Sequence, residues 1–286
     1  MALRDEYTFR IADVTVCLQT DQVLAEEDIF RPFVTQSEDV DFRAVFRQVD
    51  QLPTIPEKIL YEDLCYRVHP DGKGGFLRSF FDAPSDMTPY AVAAYDHPGG
   101  SIRVEYLPKG AHCVSEIRNS FFHLGLEALL MERNRLCLHA ACVDTAMGGI
   151  LFSGPSGIGK STQADLWCRH RGARQINGDL PILEKTEAGW VAWGSPYAGS
   201  SRCHLNENCS VRAIIILRQA PVNSLRRLSP SEAFRAVWSG VTVNSWDPRF
   251  TERACDLALE LISQIPVYEL ACTPDIRAVE ILEQGL

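Results

Sequence analysis

The sequence has no apolar run long enough to span a membrane, no excess of basic residues and no closely spaced cysteine pair. Its apolar runs fall short of the roughly 20 residues that cross a bilayer, and the charged start MALRDEYTFR lacks the apolar core of a secretory signal. We therefore expect a cytoplasmic protein without a membrane partner. The formal net charge is −9, which argues against a nucleic-acid partner because phosphate contacts need a basic face.

Cysteine is present but is not arranged as a recognisable site. The ten cysteines are scattered along the chain, and no two of them have the CxxC spacing. Zinc ribbons and thioredoxin-like motifs are therefore not predicted. We expect most of these cysteines to be small core residues in a reducing compartment.

The rest of the composition is that of a globular protein. With 286 residues, 46% of them hydrophobic and 23% charged, the chain is long enough for one large or two modest domains. Residues 1–112 are predicted to form a β-rich domain, because strand patterns at 14–18, 75–80 and 101–107 alternate with turns at 70–72, 82–84 and 98–100. This pattern predicts an antiparallel sheet with one buried face. An apolar stripe at helical spacing predicts a linking helix over 113–134, within which the stripe covers about 114–132.

Residues 135–286 show the alternation of strands and helices that is typical of an α/β domain. Strands are predicted at 136–143, 150–153, 213–217 and 267–271, with one more ending at Ile176, and a hairpin over 182–193. Helices are predicted from the end of the glycine-rich loop described below to about 169, after a capping box at Ser229, over 248–264 and after 273–275. The run at 213–217 is apolar throughout, as in a strand covered on both faces.

A glycine-rich loop lies between the predicted strand at 150–153 and the helix that follows it. It matches the phosphate-binding pattern GxxxxGK[ST], also called Walker A, with the residues Gly154, Pro155, Ser156, Gly157, Ile158, Gly159, Lys160, Ser161 and Thr162. Glycines let consecutive backbone N–H groups turn toward a phosphate, and the helix N-terminus adds a partial positive charge. Lys160 supplies a point charge for the β- and γ-phosphates, and the Ser161 hydroxyl is a ligand for Mg²⁺. The loop predicts binding of ATP and Mg²⁺.

A second group, besides the Ser161 hydroxyl, is needed to hold the metal and orient a nucleophile. Asp179 is the candidate, because it follows the strand that ends at Ile176, one helix and one strand after the loop. The alternative is an ordinary solvated turn aspartate.

The segment from His139 to Asp179 resembles the catalytic domain of HPr kinase/phosphorylase and of related kinases that accompany ribosomally made, modified peptides. The resemblance rests on His139-Ala140-Ala141 before the loop, on the sequence Gly-Pro-Ser-Gly-Ile-Gly-Lys-Ser and on an Asp after the next strand. It covers about residues 135–285. It implies an α/β fold with a P-loop mixed sheet of the HPr kinase/phosphoenolpyruvate carboxykinase type, here with a β-rich N-terminal domain. It also implies transfer of a phosphoryl group to a serine-type hydroxyl.

Three further residues are candidates for the site, each with a plainer alternative. The resemblance implies that His139 contacts phosphate or the transferred group, although a core histidine is the alternative. Arg202 lies on a small-residue loop at 194–202, where it could neutralise charge on the γ-phosphate. The alternative is that this loop is only the exit from a hairpin. Arg218 follows a predicted strand, and a guanidinium at a strand end could bind a phosphate. The alternative is an ordinary surface cation.

The sequence departs from the family at one position. The family carries an Asp-Asp pair after the second strand, one member acting as general base, whereas this chain has Gly178-Asp179. Asp179 would then serve the metal, the acceptor hydroxyl or both.

The leading hypothesis is an ATP- and Mg²⁺-dependent kinase, a transferase with Lys160, Asp179 and His139 as catalytic residues and Ser161 and Asp179 as metal ligands. Its acceptor is a hydroxyl on a peptide, a protein or a small molecule, presented by the N-terminal domain. The alternative is a nucleotide-binding switch protein with weak or no ATPase activity, and lyase chemistry is a weaker third. HPr kinases form rings, so the resemblance also implies that this chain could form a homo-oligomer. The sequence shows no recognisable interface for it.

Overall fold

The computed structural model describes residues 5–25, 27–96 and 100–286. Along the chain it divides into two compact units between Leu129 and Leu130. We call residues up to Leu129 the N-terminal unit and those from Leu130 the C-terminal unit. Pro98 and Gly99 of the predicted turn at 98–100 lie outside the described residues.

The N-terminal unit is built on one eight-stranded sheet with the order β1-β2-β3-β8-β7-β6-β5-β4. The predicted strands at 14–18, 75–80 and 101–107 are confirmed, and in the last of them the alternate residues Ile102, Val104 and Tyr106 are buried. The strands are β1 (Asp5–Ile11), β2 (Val14–Thr20), β3 (Phe42–Gln48), β4 (Tyr61–Glu62), β5 (Tyr66–Pro70), β6 (Phe76–Phe80), β7 (Ala91–Asp96) and β8 (Ser101–Tyr106).

The sheet is mixed, so the prediction of an antiparallel sheet was wrong in part. Strand β3 runs parallel to both of its neighbours, β2 and β8, whereas the other neighbouring pairs are antiparallel. The cause is the long connection at 21–41, which includes a 3₁₀ turn at Arg31–Phe33. A connection of this length can bring the chain back in the same direction, which a short hairpin turn cannot do.

The linking helix is two helices, α1 (Ile117–Leu124) and α2 (Leu126–Glu132), preceded by a 3₁₀ turn at Pro108–Val114. The prediction of one continuous helix over 113–134 was therefore wrong. Gly125 ends α1 in the left-handed conformation with φ +64°, and its N–H donates to the carbonyls of Phe121 and Phe122. Glycine adopts this conformation at low cost, and it is a common way for a helix to stop.

The C-terminal unit contains a nine-stranded sheet in which β12-β10-β11-β15-β14-β13-β9 are neighbours and β17 pairs with β15 and β16. It is a mixed α/β structure, because β11, β15 and β17 are parallel and the remaining pairs are antiparallel. The strands are β9 (Arg135–Cys137), β10 (Ala140–Thr145), β11 (Gly148–Ser153), β12 (Arg174–Asn177), β13 (Ile182–Thr186), β14 (Gly189–Trp193), β15 (Asn208–Gln219), β16 (Ser224–Arg227) and β17 (Val267–Cys272). The helices are α3 (Lys160–Arg171), α4 (Pro230–Trp238), α5 (Pro248–Gln264) and α6 (Ile276–Gly285), with a 3₁₀ turn at Gly199–Ser201.

The central strand β15 and the helices α3 and α6 share one hydrophobic core. Trp167 of α3 and Leu282 of α6 pack in the same cluster as Ile215 and Leu217 of β15 and Phe152 of β11. Burial of both faces of β15 confirms the prediction made from its continuous apolar run. This packing fixes the N-terminus of α3 beside the ends of two parallel strands.

The strand predicted at 136–143 is interrupted at Leu138 and His139. Strand β9 pairs with β13, whereas β10 pairs with β11 and β12. The two residues between the strands bond elsewhere, since the Leu138 N–H donates to the Pro181 carbonyl and the His139 N–H to the Gly240 carbonyl. Because His139 lies between β9 and β10, its side chain does not follow the alternation of faces of either strand.

Candidate functional site

The glycine-rich loop connects β11 to α3, as the pattern predicted. Gly157 and Gly159 have φ values of +78° and +114°, which residues with side chains rarely adopt. A Cβ atom built at either position would meet nothing within 4 Å. The backbone conformation therefore requires glycine here, and the space in front of the loop is open.

The rest of the loop is accessible as well. Pro155, Ser156 and Thr162 are exposed, and Ser161 is half-buried at the start of α3. A polyphosphate can therefore reach the loop and the first turn of the helix without displacing a core side chain.

Lys160 is the first residue of α3 and folds back over the start of the loop. Its side-chain Nζ donates to the carbonyls of Gly154 at 3.0 Å and of Pro155 at 3.2 Å. Only 8% of the residue is exposed. Burial lowers the pKa of Lys160, while the negative charge of Asp179 acts in the opposite direction. Lys160 is thus a buried cation at the base of the loop, and the negative charge of Asp179 favours its protonated form.

His139 and Asp179 form a contact pair. The His139 Nε2 atom lies 3.3 Å from the Asp179 Oδ1 atom, and about two-fifths of each side chain is exposed. Both backbones are held: the Asp179 carbonyl accepts from the Ala140 N–H at 2.9 Å, and the His139 carbonyl accepts from the Ser153 hydroxyl at 2.9 Å. The side chains are therefore accessible, while the backbones that carry them are fixed at the ends of β10 and β11.

Asn177 holds the turn that carries Asp179, a role that the sequence did not identify. Its Oδ1 atom accepts from the N–H groups of Asp179 at 2.9 Å and Leu180 at 2.8 Å. Its Nδ2 atom donates to the carbonyls of Ser195 at 3.0 Å and Tyr197 at 3.2 Å. The residue is fully buried, so it is a structural clamp between Asp179 and the loop at 194–202. An Asn before a Gly was the only signal for this role in the sequence.

The loop at 194–202 lies against the Asp179 turn. A Cβ atom on Gly178 would overlap the Ser201 hydroxyl and lie 2.7 Å from the Ala198 carbonyl oxygen. A Cβ atom on Gly199 would lie 2.8 Å from the Cβ of Asp179. The close approach leaves no room for a side chain at position 178, where the family resemblance would have placed a second carboxylate.

The two predicted arginines have different environments. Arg202 ends the 3₁₀ turn of this loop, is exposed, and has its carbonyl oxygen 2.7 Å from the His204 Nδ1 atom. Arg218, at the end of β15, is more than half exposed and lies 3.6 Å from Glu269. The neighbouring residue Gln219 contacts the loop instead, because its Nε2 atom donates to the Ile158 carbonyl at 3.4 Å.

His139 and Asp179 are in contact, and the negative charge of Asp179 acts on Lys160 at the base of the glycine-rich loop. Arg202 lies on the adjoining loop, and Arg218 pairs with the Glu269 carboxylate. At the end of β15 the contact with the loop comes from Gln219, whereas the sequence singled out its neighbour Arg218. Successive side chains of a strand point to opposite faces, so the two residues have different partners.

The N-terminal unit has a separate cavity of about 790 Å³ beside the edge strand β1. The buried rings of Phe9 and Phe30 line it, and they pack edge to face at 6.0 Å between centroids. Its charged wall consists of four carboxylates and two arginines, namely Glu6, Glu27, Asp28, Glu38, Arg31 and Arg43.

No protein-family model and no curated protein matches the chain. Among solved structures, the chain is similar to the HPr(Ser) kinase/phosphatase from Coxiella burnetii, at 12% sequence identity and a TM-score of 0.31, over 52% of this chain and 89% of that one. Likeness at this level supports neither a shared site nor a shared activity.

No helix in the described part of the chain is both long enough and apolar enough to cross a membrane.

Proposed function

We propose that this protein is a P-loop phosphotransferase that uses ATP and Mg²⁺ to phosphorylate a hydroxyl acceptor. The observation that supports the proposal best is the convergence of three groups from separate elements. Lys160 lies within the field of Asp179, and Asp179 contacts His139 at 3.3 Å. A cation and a carboxylate beside an open glycine-rich loop are parts that phosphoryl transfer uses, and the imidazole is placed to orient the carboxylate.

The nucleotide phosphates would be held by the loop and by Lys160. The backbone N–H groups of the loop and the N-terminus of α3 attract negative charge. Lys160 has carbonyl oxygens as its side-chain contacts, and phosphate oxygens would be stronger acceptors for its charge. Ser161 and Asp179 would hold Mg²⁺, which, when bound, neutralises charge on the phosphates.

Asp179 would act as the general base. As the acceptor oxygen forms its bond to the γ-phosphorus, the hydroxyl proton passes to the Asp179 carboxylate. The bond between that phosphorus and the bridging oxygen breaks, and its electrons remain on ADP. His139 would donate a hydrogen bond from Nε2 to Oδ1 and so keep the carboxylate oriented toward the acceptor.

The N-terminal unit would recognise the acceptor. Its cavity of about 790 Å³ is large enough for a small molecule or several residues of a peptide. Because carboxylates outnumber arginines in the cavity wall, it suits an acceptor that carries positive charge.

A specific observation favours the second candidate, a nucleotide-binding switch protein. Position 178 has no room for a side chain because the Ser201 hydroxyl fills that space. Only one carboxylate is then available at the end of β12 to serve both metal and acceptor. Such a site would bind nucleotide but turn it over slowly or not at all.

Two substitutions test the proposal. Lys160→Ala should weaken Mg·ATP binding by roughly 10- to 100-fold, because it removes a charge-assisted contact to phosphate. Asp179→Asn should reduce transfer by about 10²- to 10⁴-fold, since the general base and a carboxylate ligand of Mg²⁺ are lost together. Calorimetry measures binding, and transfer from γ-labelled ATP to serine peptides, free serine and sugars measures activity.

Asp165→Asn is the matched control, because Asp165 is an exposed carboxylate on α3 that pairs only loosely with Arg169 at 3.8 Å. It should change neither measurement. Normal transfer by Asp179→Asn would refute the assignment of the base. Tight nucleotide binding by the unaltered protein, without transfer to any acceptor class, would favour the switch protein.

A further inference from the structure

Three side chains of different chemistry converge on the surface of the N-terminal unit. Asp82 lies two residues after β6 ends, and His112 and Cys113 belong to the 3₁₀ turn at Pro108–Val114. The Cys113 Sγ atom lies 3.3 Å from the His112 Nε2 atom and 3.6 Å from the Asp82 Oδ1 atom. The third side of this triangle, from His112 Nε2 to Asp82 Oδ1, is also 3.6 Å.

The triangle has the dimensions of one face of a tetrahedral metal site. Zinc binds thiolate sulfur at about 2.3 Å and imidazole nitrogen or carboxylate oxygen at about 2.0–2.2 Å, so its ligand atoms lie about 3.3–3.6 Å from one another. The three observed separations, from 3.3 to 3.6 Å, fall in that interval. One ion above the triangle could therefore reach all three atoms without a large movement of any side chain.

The backbone that carries these ligands is held on both sides. Gly110 packs directly on the Tyr90 ring, so closely that a Cβ atom there would overlap it, and the Ser115 hydroxyl donates to the His112 carbonyl at 2.8 Å. Next to Asp82, the Phe81 N–H donates to the Cys65 carbonyl at 2.8 Å. The ligand atoms are thus brought together by the fold rather than by a flexible tail.

The site is accessible from solvent. The side chains of His112 and Asp82 are 65% and 59% exposed, and Cys113 is half-buried. An ion can reach this face directly, and a water molecule can complete the tetrahedron as the fourth ligand.

We propose that Asp82, His112 and Cys113 bind a divalent transition-metal ion, with Zn²⁺ as the preferred ion. A thiolate and an imidazole together favour zinc over Mg²⁺ or Ca²⁺, which prefer sets of oxygen ligands. Cys113 would bind as the thiolate and release its proton to solvent. The proposal does not rest on the phosphotransferase function, because these three residues belong neither to the proposed nucleotide site nor to the lining of the cavity assigned to the acceptor.

Cobalt(II) is a suitable spectroscopic probe, because a thiolate–cobalt bond gives a charge-transfer absorption that oxygen and nitrogen ligands do not give. We expect the metal-free full-length protein to bind one Co²⁺ with this absorption and to lose it when Zn²⁺ is added. Cys113→Ser should abolish the absorption. Asp82→Asn and His112→Gln, at exposed positions that folding tolerates, should each weaken Zn²⁺ binding at least about tenfold.

Cys255→Ser is the matched control, because Cys255 is a half-buried thiol of the C-terminal unit, and it should leave the absorption unchanged. The proposal is overturned if the unaltered protein shows no thiolate–cobalt absorption, or if the absorption persists in Cys113→Ser. It is also overturned if both Asp82→Asn and His112→Gln bind Zn²⁺ as tightly as the unaltered protein. Mg·ATP binding, measured on the same samples, reports separately on the phosphotransferase site.

Discussion

Asn177 is the residue on which the geometry of the candidate site depends most directly. Its side-chain amide is fully buried and uses its oxygen for the Asp179 turn and its nitrogen for the loop after β14. An amide is the one side chain of this size that supplies both a donor and an acceptor here. Asn177 is therefore a positioning residue, whereas Asp179 is the group that would touch the substrate.

Asn177→Asp replaces the donor with a carboxylate oxygen that faces the carbonyls of Ser195 and Tyr197. We expect a loss of about 3 kcal/mol in the free energy of unfolding, because a buried charge then lacks a donor on that side. Urea unfolding at neutral pH measures the loss. Asn208→Asp makes the same change at an exposed position and should cost less than about 0.5 kcal/mol. Equal stability of the two variants would contradict the clamp role.

Single residues were the hardest level to predict from the sequence. The glycine-rich loop was found because its spacing is specific, and the structure gives Gly157 and Gly159 the left-handed conformation that glycine permits. Gln219 was missed because its contact, the Ile158 carbonyl, is distant in sequence. The clamp role of Asn177 was missed because it also needs the carbonyls of Ser195 and Tyr197, which lie on a later loop. The proposed metal ligands Asp82, His112 and Cys113 were not singled out, because their spacing matches no metal-binding motif.

At the scale of elements, the 194–202 loop packs closely on the Asp179 turn. A substitution at position 178 therefore tests whether this packing holds the site together. Gly178→Ala places a Cβ atom against the Ser201 hydroxyl and the Ala198 carbonyl. We expect a loss of about 1–3 kcal/mol in stability from the overlap, together with reduced transfer activity. Thermal unfolding and the labelled-ATP assay measure the two effects.

Adding Ser201→Gly to this variant removes the hydroxyl that the new methyl group overlaps, so the double variant should recover part of the lost stability. Gly172→Ala is the control for backbone strain without overlap, because Gly172 has φ +62° but a Cβ atom there would meet nothing within 4 Å. Full stability of Gly178→Ala alone would show that the loop does not constrain this position.

The capping box of α4 gives a prediction for pH dependence. The Glu232 carboxylate accepts from the N–H of Ser229 at 2.9 Å and from its hydroxyl at 2.6 Å. These hydrogen bonds, with help from Arg226, lower the pKa of Glu232 to about 2. A lowered pKa means that the folded state favours the ionised form, so this contribution to stability is complete above pH 4.5 and is lost as the pH falls through about 2.

The side-chain carboxyl resonance of Glu232 should therefore titrate with a midpoint near 2 in NMR spectra of the folded protein. In Ser229→Ala the midpoint should move toward 4.5, the ordinary value, because the hydroxyl donor is lost. A midpoint near 4.5 in the unaltered protein would mean that the capping box does not persist in solution.

Most elements could be predicted from local patterns, and the errors occurred where long-range pairing prevailed. The capping box at Ser229, the helix α5 and the hairpin of β13 and β14 depend on nearby residues and were confirmed. The strand at 136–143 was not, because Leu138 and His139 bond to Pro181 and Gly240 rather than to a neighbouring strand. The segment is almost continuously apolar on both sides of that break, so the sequence pattern does not reveal it.

At the scale of the whole molecule, every residue of the proposed nucleotide site belongs to the C-terminal unit. A fragment of residues 126–286, which keeps α2 whole, should therefore bind Mg·ATP within a few-fold of the full chain by calorimetry. The fragment should lose selectivity among acceptors, because the acidic cavity assigned to acceptor recognition lies in the N-terminal unit. Lys160→Ala in the fragment should weaken binding as it does in the full chain. A folded fragment, verified by circular dichroism, that binds no nucleotide would show that the N-terminal unit supplies part of the site, and unchanged selectivity would remove the role proposed for the cavity.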